Sequence, residues 1–309
     1  MVDVLAADIR PTILEICAGG GGLAASFRDE GWDHVDAIEI NGGACATLSA
    51  NLGQRFLPRD ATKIDFTRYR GVDLCAGGIP CQPFSVCGAG RGVDDPRNLW
   101  ETALRCVREA KPRLGFMWEN VAALVDKRHR AYFDLLLQEF KELGYDVEWR
   151  VVCACEYGVP QYRRRVIVVG IAPGFVFSWP TGIRRSVSLG EGISGLPEFG
   201  SPAADAMYHI RPLYAARPYV GHTGSVLENP SKTLVSGCNG PPGGSNMIRI
   251  GDGTFRQYSI REYCRVQSLP DSFLVPSSIS RTQAAWQIGN MVPYLLGRVF
   301  ARQLRCALR

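Results

Sequence analysis

The chain has 309 residues, of which 46% are hydrophobic and 21% charged, and its formal net charge is +5. A chain of this length can bury a sizeable core, and the composition is that of an ordinary soluble protein. No apolar run approaches the roughly 20 residues that a membrane helix needs, and the N-terminus lacks a basic stretch followed by a hydrophobic one. These features predict a soluble, intracellular protein that does not bind membranes.

The cysteines and histidines are distributed in a way that disfavours disulfides and metal sites. The chain has 11 cysteines and four histidines. The cysteine number is odd, and most cysteines stand inside strand-like or helix-like segments, without the regular spacing of a disulfide framework. No cysteine pair has the C-x-x-C spacing of a zinc site, and the histidines are scattered. We therefore expect reduced thiols that mostly fill the core, and no structural metal.

The positive charge is carried almost entirely by arginine, since lysine stands at only five positions. Arginine offers a planar fork of donors that suits phosphate groups and guanine edges. The bias fits a nucleic-acid partner, although codon composition could produce the same bias.

The first half of the chain alternates between strand-like and helical segments. A strand from Thr12 to Cys17 runs into a glycine turn, and helical spacing of apolar residues follows from Leu23 to Gly31. A second strand over 35–40 precedes a helix over 43–52. Further strands are predicted at 72–76, 114–118 and 166–171, with helices at 99–110 and 130–143. This alternation predicts an α/β fold with a doubly wound, mostly parallel sheet.

The composition changes after Ile171. Residues 173–257 are rich in Gly, Pro and Ser and show no sustained helical period, yet they contain enough tyrosine and aliphatic residues to pack. A helical pattern returns at Ser259, and the chain ends with a helix over 283–308 that is entered through Gly289–Pro293. We predict a main domain of residues 1–172 plus 282–309 and a small, loop-rich domain of residues 173–281.

Cys81 stands in a segment that restricts its backbone. Proline fixes its own φ and pushes the preceding residue toward extended geometry, so Pro80 and Pro83 leave Cys81 little freedom. A buried structural cysteine needs no such arrangement, because it packs as a small hydrophobe anywhere in a core. The segment therefore indicates a presented, reactive thiol. The alternative is an incidental cysteine in a tight loop.

The glycine turn Gly19–Gly22 indicates a cofactor site. Such a turn between a strand and a helix lets a ligand approach the backbone closely, a pattern that also suits NAD or FAD. Glu39 ends the second strand, where an acid accepts hydrogen bonds from ribose hydroxyls, and Asp60 could accept from an adenine amino group. Each acid taken singly could equally be a solvated loop carboxylate. Their order along the chain favours an adenosine-containing cofactor.

Two further segments carry groups for proton and charge chemistry. The apolar strand Phe116–Trp118 runs directly into Glu119, which places a carboxylate at the carboxyl edge of a parallel sheet, where ligands bind and where it can exchange a proton. If the next strand begins at Gln161, Arg163 and Arg165 share one face and point at the same pocket. The alternative for three consecutive arginines is a solvated basic face.

These residues occur in the order and spacing of the cytosine C5 DNA methyltransferases, which the chain closely resembles. The resemblance covers nearly the whole chain apart from residues 173–257, and it implies a class I S-adenosylmethionine-dependent methyltransferase fold with residues 173–281 as the target-recognition domain. The motifs that carry it are Pro80-Cys81-Gln82, Glu119-Asn120-Val121, Gln161-x-Arg163-x-Arg165, Arg261-x-x-x-Arg265-x-Gln267-Ser268-Leu269-Pro270 and Gln287-Ile288-Gly289-Asn290-x-Val292-Pro293.

The resemblance implies a mechanism. The family transfers a methyl group from S-adenosylmethionine to C5 of a cytosine that is flipped out of duplex DNA at a specific sequence. Carried over to this chain, the Cys81 thiolate adds to C6 while Glu119 contacts N3. Arg165, together with Arg163, holds the cytosine O2 or a nearby phosphate and stabilises developing charge. A base, expected to be water in the pocket, then removes the C5 proton, and elimination frees Cys81.

The resemblance also assigns ligand contacts. The chain departs from the family at Cys17, where a phenylalanine usually packs against the adenine; either another side chain such as Ile40 compensates, or cofactor affinity drops. Cofactor contacts carry over to Cys17, Ala18, Gly19, Gly20, Gly22, Leu23, Glu39, Ile40, Asp60, Ala61, Pro80, Leu99, Asn290 and Val292. DNA contacts carry over to Gln82, Ser85, Cys87, Arg91, Lys232 and Thr233.

The implied partners are double-stranded DNA and, acting separately, a cognate restriction endonuclease. The implied state is a monomer in a prokaryotic or phage-type cytoplasm. Two alternatives stay open: a cytosine C5 methyltransferase that acts on transfer RNA, and a catalytically silent DNA-binding homologue. Intact Cys81, Glu119 and Arg165 argue against the silent homologue. A NAD-dependent oxidoreductase would explain the glycine turn but nothing after Asp60.

Overall fold

The computed structural model describes residues 10–80, 98–183, 185–197, 224–236, 246–251 and 255–308. A six-stranded sheet forms its centre, and a separate two-stranded sheet lies in the second half of the chain. The six strands are β1 (Thr12–Ile16), β2 (Asp33–Ile38), β3 (Leu74–Gly78), β4 (Gly115–Val121), β5 (Asp146–Cys153) and β6 (Arg164–Ile171). The two short strands are β7 (Met247–Arg249) and β8 (Phe255–Gln257).

Helices follow most strands of the large sheet. They are α1 (Gly22–Asp29), α2 (Gly42–Leu52), α3 (Trp100–Ala110), α4 (Arg130–Glu142), α5 (Leu189–Gly192), α6 (Ile260–Val266), α7 (Arg281–Asn290) and α8 (Tyr294–Cys306). Several begin at a side chain that accepts from a backbone N–H of the first turn, as Asn41 Oδ1 does from Ala44 N at 2.9 Å. Such caps satisfy backbone donors that have no partner inside the helix.

The strand order of the large sheet is β2–β1–β3–β4–β6–β5. β2, β1, β3 and β4 are parallel neighbours, whereas β6 runs antiparallel to both β4 and β5. The predicted mostly parallel α/β sheet is thereby confirmed. Because the four parallel strands end at one edge, the residues that follow each of them meet there.

Both faces of the sheet are covered by helices. On one face Trp100 of α3 and Phe133 of α4 pack in a buried cluster with Phe116 of β4. On the other face Phe27 of α1 and Phe300 of α8 pack in a second cluster with strand residues. The sheet is therefore doubly wound, as the alternating pattern predicts.

The end of the chain differs from its predicted form. Instead of one helix over 283–308, α7 ends at Asn290 and α8 begins at Tyr294. Pro293 stands between them, and a proline both lacks the N–H of a continuing helix and disfavours helical geometry in the residue before it. The break turns α8 back against α1, where Ser26 Oγ donates to Tyr294 O at 2.9 Å.

Two strand assignments also differ from the sequence-based ones. Strand β5 was not predicted, because its exposed and buried positions alternate at the sheet edge without a continuous apolar run. Strand β6 begins at Arg164 instead of Gln161. Arg163 and the two residues before it therefore lie outside the β-ladder.

The described parts of the second half share a third apolar cluster. It joins Leu189, Leu234, Ile248 and Tyr258 with residues of α6 and α7 such as Ile288. The described parts of the Gly- and Pro-rich segment therefore pack against α6 and α7 through residues such as Leu189, Leu234 and Ile248. The domain boundary at residues 173–281 stays a prediction.

Asp36 of β2 supports a prediction on stability. Its carboxylate accepts from Arg59 Nη1 at 2.7 Å and from Tyr69 Oη at 2.5 Å. Burial acts to raise the pKa of Asp36, but the hydrogen bonds from Arg59 and Tyr69 outweigh it and hold the pKa below its ordinary value. A depressed carboxyl pKa stabilises the fold above the unfolded-state value of about 3.9, and that stabilisation is lost as the pH falls through the folded value.

We expect Asp36→Asn to lower the free energy of unfolding by about 2 kcal/mol at neutral pH, since a hydrogen bond to a charged group is lost. The difference from wild type should shrink below about pH 4, as measured by urea unfolding at a series of pH values. Asp33→Asn on the same strand is the control, because its ion pair with Arg10 is solvent-exposed and contributes little. A pH-independent deficit for Asp36→Asn would contradict the prediction.

Candidate active site

The carboxyl ends of β3 and β4 are tied together at the edge where the parallel strands end. Gly78 pairs with Glu119 in the ladder, and Ile79 N donates to Glu119 O at 3.1 Å. Asn120 Nδ2 donates to Ile79 O at 3.3 Å. The segment that continues through Pro80 is thus held beside Glu119. The predicted nucleophile Cys81 lies outside the described residues, as do four predicted DNA contacts, Gln82, Ser85, Cys87 and Arg91.

Glu119 and Arg165 form a buried ion pair. Arg165 Nε lies 2.7 Å from Glu119 Oε1, and the side chains are 11% and 8% exposed respectively. Arg165 reaches this position because it pairs with Val121, two residues beyond Glu119, in the antiparallel β4–β6 ladder. Within the described chain Glu119 Oε1 has this charge partner but no hydrogen bond. Glu119 Oε1 therefore keeps lone-pair capacity for a ligand beside its ion pair with Arg165.

Arg163 is placed differently from Arg165. It is 2% exposed, and its Nη1 donates to Leu234 O at 3.2 Å. The two arginines therefore reach different partners: Arg165 lies at Glu119, and Arg163 lies at the segment that contains Lys232 and Thr233. The reason is that Arg163 precedes β6 and does not follow its side-chain alternation.

Gln161 connects three segments that are distant in sequence. Its side chain is fully buried. Nε2 donates to Val266 O at 3.2 Å and to Gln267 Oε1 at 3.1 Å, and Oε1 accepts from Leu234 N at 3.0 Å. Gln267 Nε2 in turn donates to Ile288 O at 2.6 Å. The resemblance gave these glutamines no role, although their presence in the motifs was the available signal.

The segment around Lys232 and Thr233 lies against Tyr162, shortly before strand β6 begins. Tyr162 N donates to Ser231 O at 2.7 Å, and Thr233 Oγ1 donates to Tyr162 O. Lys232 N donates to Ser225 Oγ at 3.1 Å. The residues on either side of Lys232 are therefore hydrogen-bonded to Tyr162, three residues before Arg165 in the chain.

The glycine turn after β1 is held by Glu39 and by the C-terminal segment. Gly19 N donates to Glu39 Oε2 at 2.8 Å, and Asn41 N donates to Glu39 Oε1 at 2.7 Å. A Cβ at Gly20 would come 2.5 Å from Met291 Cε, and one at Gly22 would come 2.9 Å from Val292 O. The backbone contact at Gly22 requires glycine for the close approach of the segment between α7 and α8, whereas Met291 Cε, at the end of a flexible side chain, could move away from a Cβ at Gly20. The turn also brings Gly22 and Val292 together.

The remaining predicted cofactor residues follow the neighbouring strands. Ile40, after β2, is 67% exposed. Asp60 Oδ1 accepts from Thr62 N at 3.0 Å and from Thr62 Oγ1 at 2.7 Å, and these hydrogen bonds hold the pKa of Asp60 below its ordinary value. The exposed Ile40 side chain can receive an apolar ring. The other members are Ala18, Leu23 and Ala61, which are buried, Leu99, which is half-buried, and Asn290, which is exposed.

Cys17 lies at the base of the turn with a left-handed backbone, φ 55°. Burial and then the carboxylates of Glu39, Glu15 and Asp60 raise the pKa of its thiol well above the ordinary value. A thiol that stays protonated is a poor nucleophile. Cys17 is therefore a packing residue of the turn and is poorly suited to act as a nucleophile.

Two expected absences concern metals and membranes. Within the described ranges no three His, Cys, Asp or Glu side chains come together as metal ligands would. Among the helices of those same ranges, none combines the length and the apolar character that crossing a bilayer requires.

Comparison with known sequences identifies the family. The model of the C-5 cytosine-specific DNA methylase family matches residues 11–204. The type II methyltransferase M.NgoMIV of Neisseria gonorrhoeae is 40% identical over 172 residues, which are 55% of this chain and 55% of that protein. M.NaeI of Lentzea aerocolonigenes is 36% identical over 60% of this chain and 46% of that protein. M.PspPI of Psychrobacter sp. is 30% identical over 96% of this chain and 80% of that protein.

The matches to M.NgoMIV and M.NaeI thus span about half of those proteins, whereas the match to M.PspPI spans most of that protein.

Solved structures share the fold. The Entamoeba histolytica methyltransferase EhMeth superposes with a TM-score of 0.76 at 14% identity, covering 97% of this chain and 99% of that one. A triple mutant of DNMT2 from Spodoptera frugiperda gives 0.75 at 17% identity, covering 96% and 99%. The class I methyltransferase fold is confirmed, and this chain belongs to the C-5 cytosine-specific DNA methylase family, as its ordered motifs predict.

Proposed function

We propose that this protein transfers a methyl group to C5 of a flipped-out cytosine in duplex DNA, at a specific sequence. The observation that carries the proposal is the buried Glu119–Arg165 ion pair at 2.7 Å, held beside the segment that leads from Ile79 into Cys81. The type II names of the relatives support a role in protecting DNA beside a separate restriction endonuclease. We place the protein in the cytoplasm, as a monomer on DNA.

Cytosine C5 is a poor nucleophile, so the ring must be activated. The Cys81 thiolate forms a bond to C6, and the displaced electron pair moves toward N3 and C5. Glu119 is the group for N3, because its Oε1 is buried beside Arg165 and its Oε2 lies 3.5 Å from where a Cβ at Gly78, the last residue of β3, would stand. Glu119 passes a proton to N3 as the bond to C6 forms, which neutralises the charge that Cys81 addition creates there.

Arg165 orients Glu119 and contributes positive charge. Its Nε faces Glu119 Oε1, and its Nη1 donates to Arg164 O at 2.7 Å. A guanidinium has five N–H donors, so others can reach the cytosine O2. Once C5 has taken the methyl group, water in the pocket accepts the C5 proton. Cleavage of the bond between Cys81 and C6 then releases the thiolate and restores the ring, and N3 returns its proton to Glu119. Arg163, which precedes strand β6, holds the segment of Lys232 and Thr233 in place through its hydrogen bond to Leu234 O.

The cofactor site lies at the ends of β1, β2 and β3. The exposed Ile40 suits an adenine ring, Glu39 and Asp60 suit ribose and amino groups, and a Cβ added at Gly19 would meet no atom within 4 Å. These features fit S-adenosylmethionine, which supplies the electrophilic methyl group when bound. The segment Asn290–Val292 packs on the same turn and closes the site from the side of α7.

Residues 173–281 are proposed as the target-recognition domain. Lys232 and Thr233 lie beside Tyr162, which directly precedes Arg163. The base must leave the stack before Cys81 can reach C6, at a cost of a few kcal/mol. We assign Gln82, Ser85, Cys87 and Arg91, which follow Cys81 in the chain, to contacts with the DNA around the flipped base.

We expect the wild-type protein to form a covalent complex with duplex DNA that contains 5-fluorocytosine, because fluorine at C5 cannot be removed as a proton and Cys81 stays attached. The complex is measured as a band that survives denaturing electrophoresis and requires S-adenosylmethionine. Cys81→Ser should give no such band. Cys17→Ser is the control and should still be trapped.

A wild-type protein that forms no adduct on any duplex would contradict the proposed chemistry. Transfer RNA is tested in parallel through tritium transfer from labelled cofactor. Incorporation into transfer RNA but not into duplex DNA would overturn the assignment of the substrate. Bisulfite sequencing of DNA from cells that express the protein identifies the methylated context.

We expect Cys17→Phe to tighten S-adenosylmethionine binding by about 2- to 10-fold, the range that an added aromatic contact contributes. The backbone at Cys17 is left-handed, which is less favourable for a bulky side chain than for a small one, so the expected gain is the ring contact with adenine less this backbone cost. Isothermal titration calorimetry measures the affinity. Cys17→Ala controls for loss of the thiol alone, and unchanged or weaker binding by the phenylalanine variant would refute the expectation.

A further inference from the structure

Two cysteines outside the proposed active site lie in contact where β5 ends. Cys153 is the last residue of β5, and Cys155 lies in the short 3-10 helix Ala154–Tyr157 that follows. Their Sγ atoms are 3.0 Å apart. Cys153 is half-buried and Cys155 is 5% exposed, so the pair lies at the surface with one thiol open to small solutes.

We propose that Cys153 and Cys155 form a dithiol modification site that a hydroperoxide oxidises to an intramolecular disulfide. Cys153 Sγ attacks one peroxide oxygen, the O–O bond breaks, and a sulfenic acid and one water form. Cys155 Sγ then attacks the Cys153 sulfur, the S–OH bond breaks, and a second water leaves with the Cys155 proton. Two thiols and one hydrogen peroxide thus give one disulfide and two waters, and the peroxide takes two electrons.

The geometry requires little movement. A disulfide bond is about 2.05 Å long, so the two sulfurs need to approach by about 1 Å from their present contact. The turn between them is short, and the backbone N of Cys153 is already close to Glu156 Oε2, at 3.5 Å. Burial and the adjacent Cys153 raise the pKa of Cys155 to about 12, which makes the more exposed Cys153 the first thiol to react.

A second thiol pair in the chain provides a natural comparison. Cys75 and Cys106 also contact each other, but both are completely buried in the core between the sheet and α3. An oxidant cannot reach that pair without unfolding of the domain. Proximity is therefore shared by both pairs, and access distinguishes Cys153 and Cys155.

Backbone hydrogen bonds connect the segment of Cys153 and Cys155 to the strand that carries Arg165. Ala154 N donates to Arg163 O at 2.9 Å, and Cys153 pairs with Arg164 in the β5–β6 ladder. Formation of the disulfide displaces Ala154, which lies between the two cysteines, and with it Arg163 and Arg165. The consequence for activity rests on the proposed function: this displacement lowers kcat.

The test uses the full-length protein. It is treated with one to several equivalents of hydrogen peroxide, alkylated with iodoacetamide and digested with trypsin. The peptide Val151–Arg163 carries Cys153 and Cys155 and no other cysteine. We expect it to lose two hydrogens and to resist alkylation until a reductant is added, while Cys75 and Cys106 stay alkylatable only after unfolding.

In C155S the first step should still occur, so dimedone should label Cys153 as a sulfenic acid. The proposal is overturned if a peroxide dose that oxidises Cys81 leaves both thiols of this peptide open to alkylation. So would a disulfide that joins this peptide to another. These readouts do not depend on methyl transfer, so they succeed or fail independently of the proposed function.

The coupling to Arg165 is tested on protein whose Cys81 is reduced, as the same digest verifies. We expect the disulfide form to have a kcat several-fold below that of the reduced form, with recovery after reductant, and the double variant C153S/C155S to be insensitive to peroxide at that dose. Equal kcat for the oxidised and reduced forms would overturn the coupling.

Discussion

Glu119→Gln is expected to lower kcat by about 10²- to 10⁴-fold, the range that a positioned acid or base contributes. Glutamine keeps the size of the side chain and its buried position but cannot exchange a proton with cytosine N3. It also removes the charge that faces Arg165 Nε at 2.7 Å. Steady-state transfer of tritium from labelled S-adenosylmethionine to duplex DNA measures the loss, while the KM for DNA should change much less.

The matched control is Glu142→Gln, at the exposed end of α4. It makes the same chemical change and should leave kcat unaltered. Trapping on DNA with 5-fluorocytosine separates the steps, because Glu119→Gln should also slow formation of the covalent complex. A Glu119→Gln enzyme with kcat within a few-fold of wild type would exclude this carboxylate as the partner of N3.

The doubly wound sheet could be predicted from sequence because its strands and helices follow local patterns of apolar residues. Buried parallel strands are short apolar runs, and the helices between them repeat apolar residues at helical spacing. The approximate position of Glu119 follows from this pattern, since a polar residue that follows an apolar run lies near the carboxyl edge of the sheet; β4 itself continues for two more residues, to Val121.

Other features depend on contacts between distant segments and could not be read from sequence. Strand β5 is an edge strand whose exposed positions hide its pattern. Arg163 differs from Arg165 because a backbone carbonyl of Leu234 is available to it, which no period of two indicates. Glu39 holds the backbone N of Gly19 as well as lying where ribose is expected. Each of these requires the register of a distant partner, and the sequence alone does not specify that register.

Gln161→Ala is expected to lower the free energy of unfolding by about 3 kcal/mol, because it leaves buried backbone groups unpaired and opens a cavity. The side chain it removes is fully buried and bonded to Leu234 N, Val266 O and Gln267 Oε1. Urea unfolding followed by circular dichroism measures the change. Gln138→Ala on the exposed face of α4, whose Nε2 donates to Glu142 Oε1 at 3.0 Å, should change the free energy by less than about 0.5 kcal/mol.

Gln161→Ala also tests whether Gln161 affects DNA binding through its hydrogen bond with Leu234. Leu234 accepts from Arg163 Nη1 and donates to Gln161 Oε1, so losing Gln161 loosens the segment of Lys232 and Thr233 from the strand that carries Arg165. We expect the KM for DNA to rise by about tenfold, which corresponds to roughly 1.4 kcal/mol. S-adenosylmethionine affinity should change much less, because Glu39 holds the glycine turn directly, whereas Gln161 reaches it only through Gln267 and Met291. Gln161→Glu, which replaces the Nε2 donor with a second acceptor, should be at least as damaging. A stable alanine variant with an unaltered KM for DNA would show that recognition and catalysis are joined elsewhere in the fold.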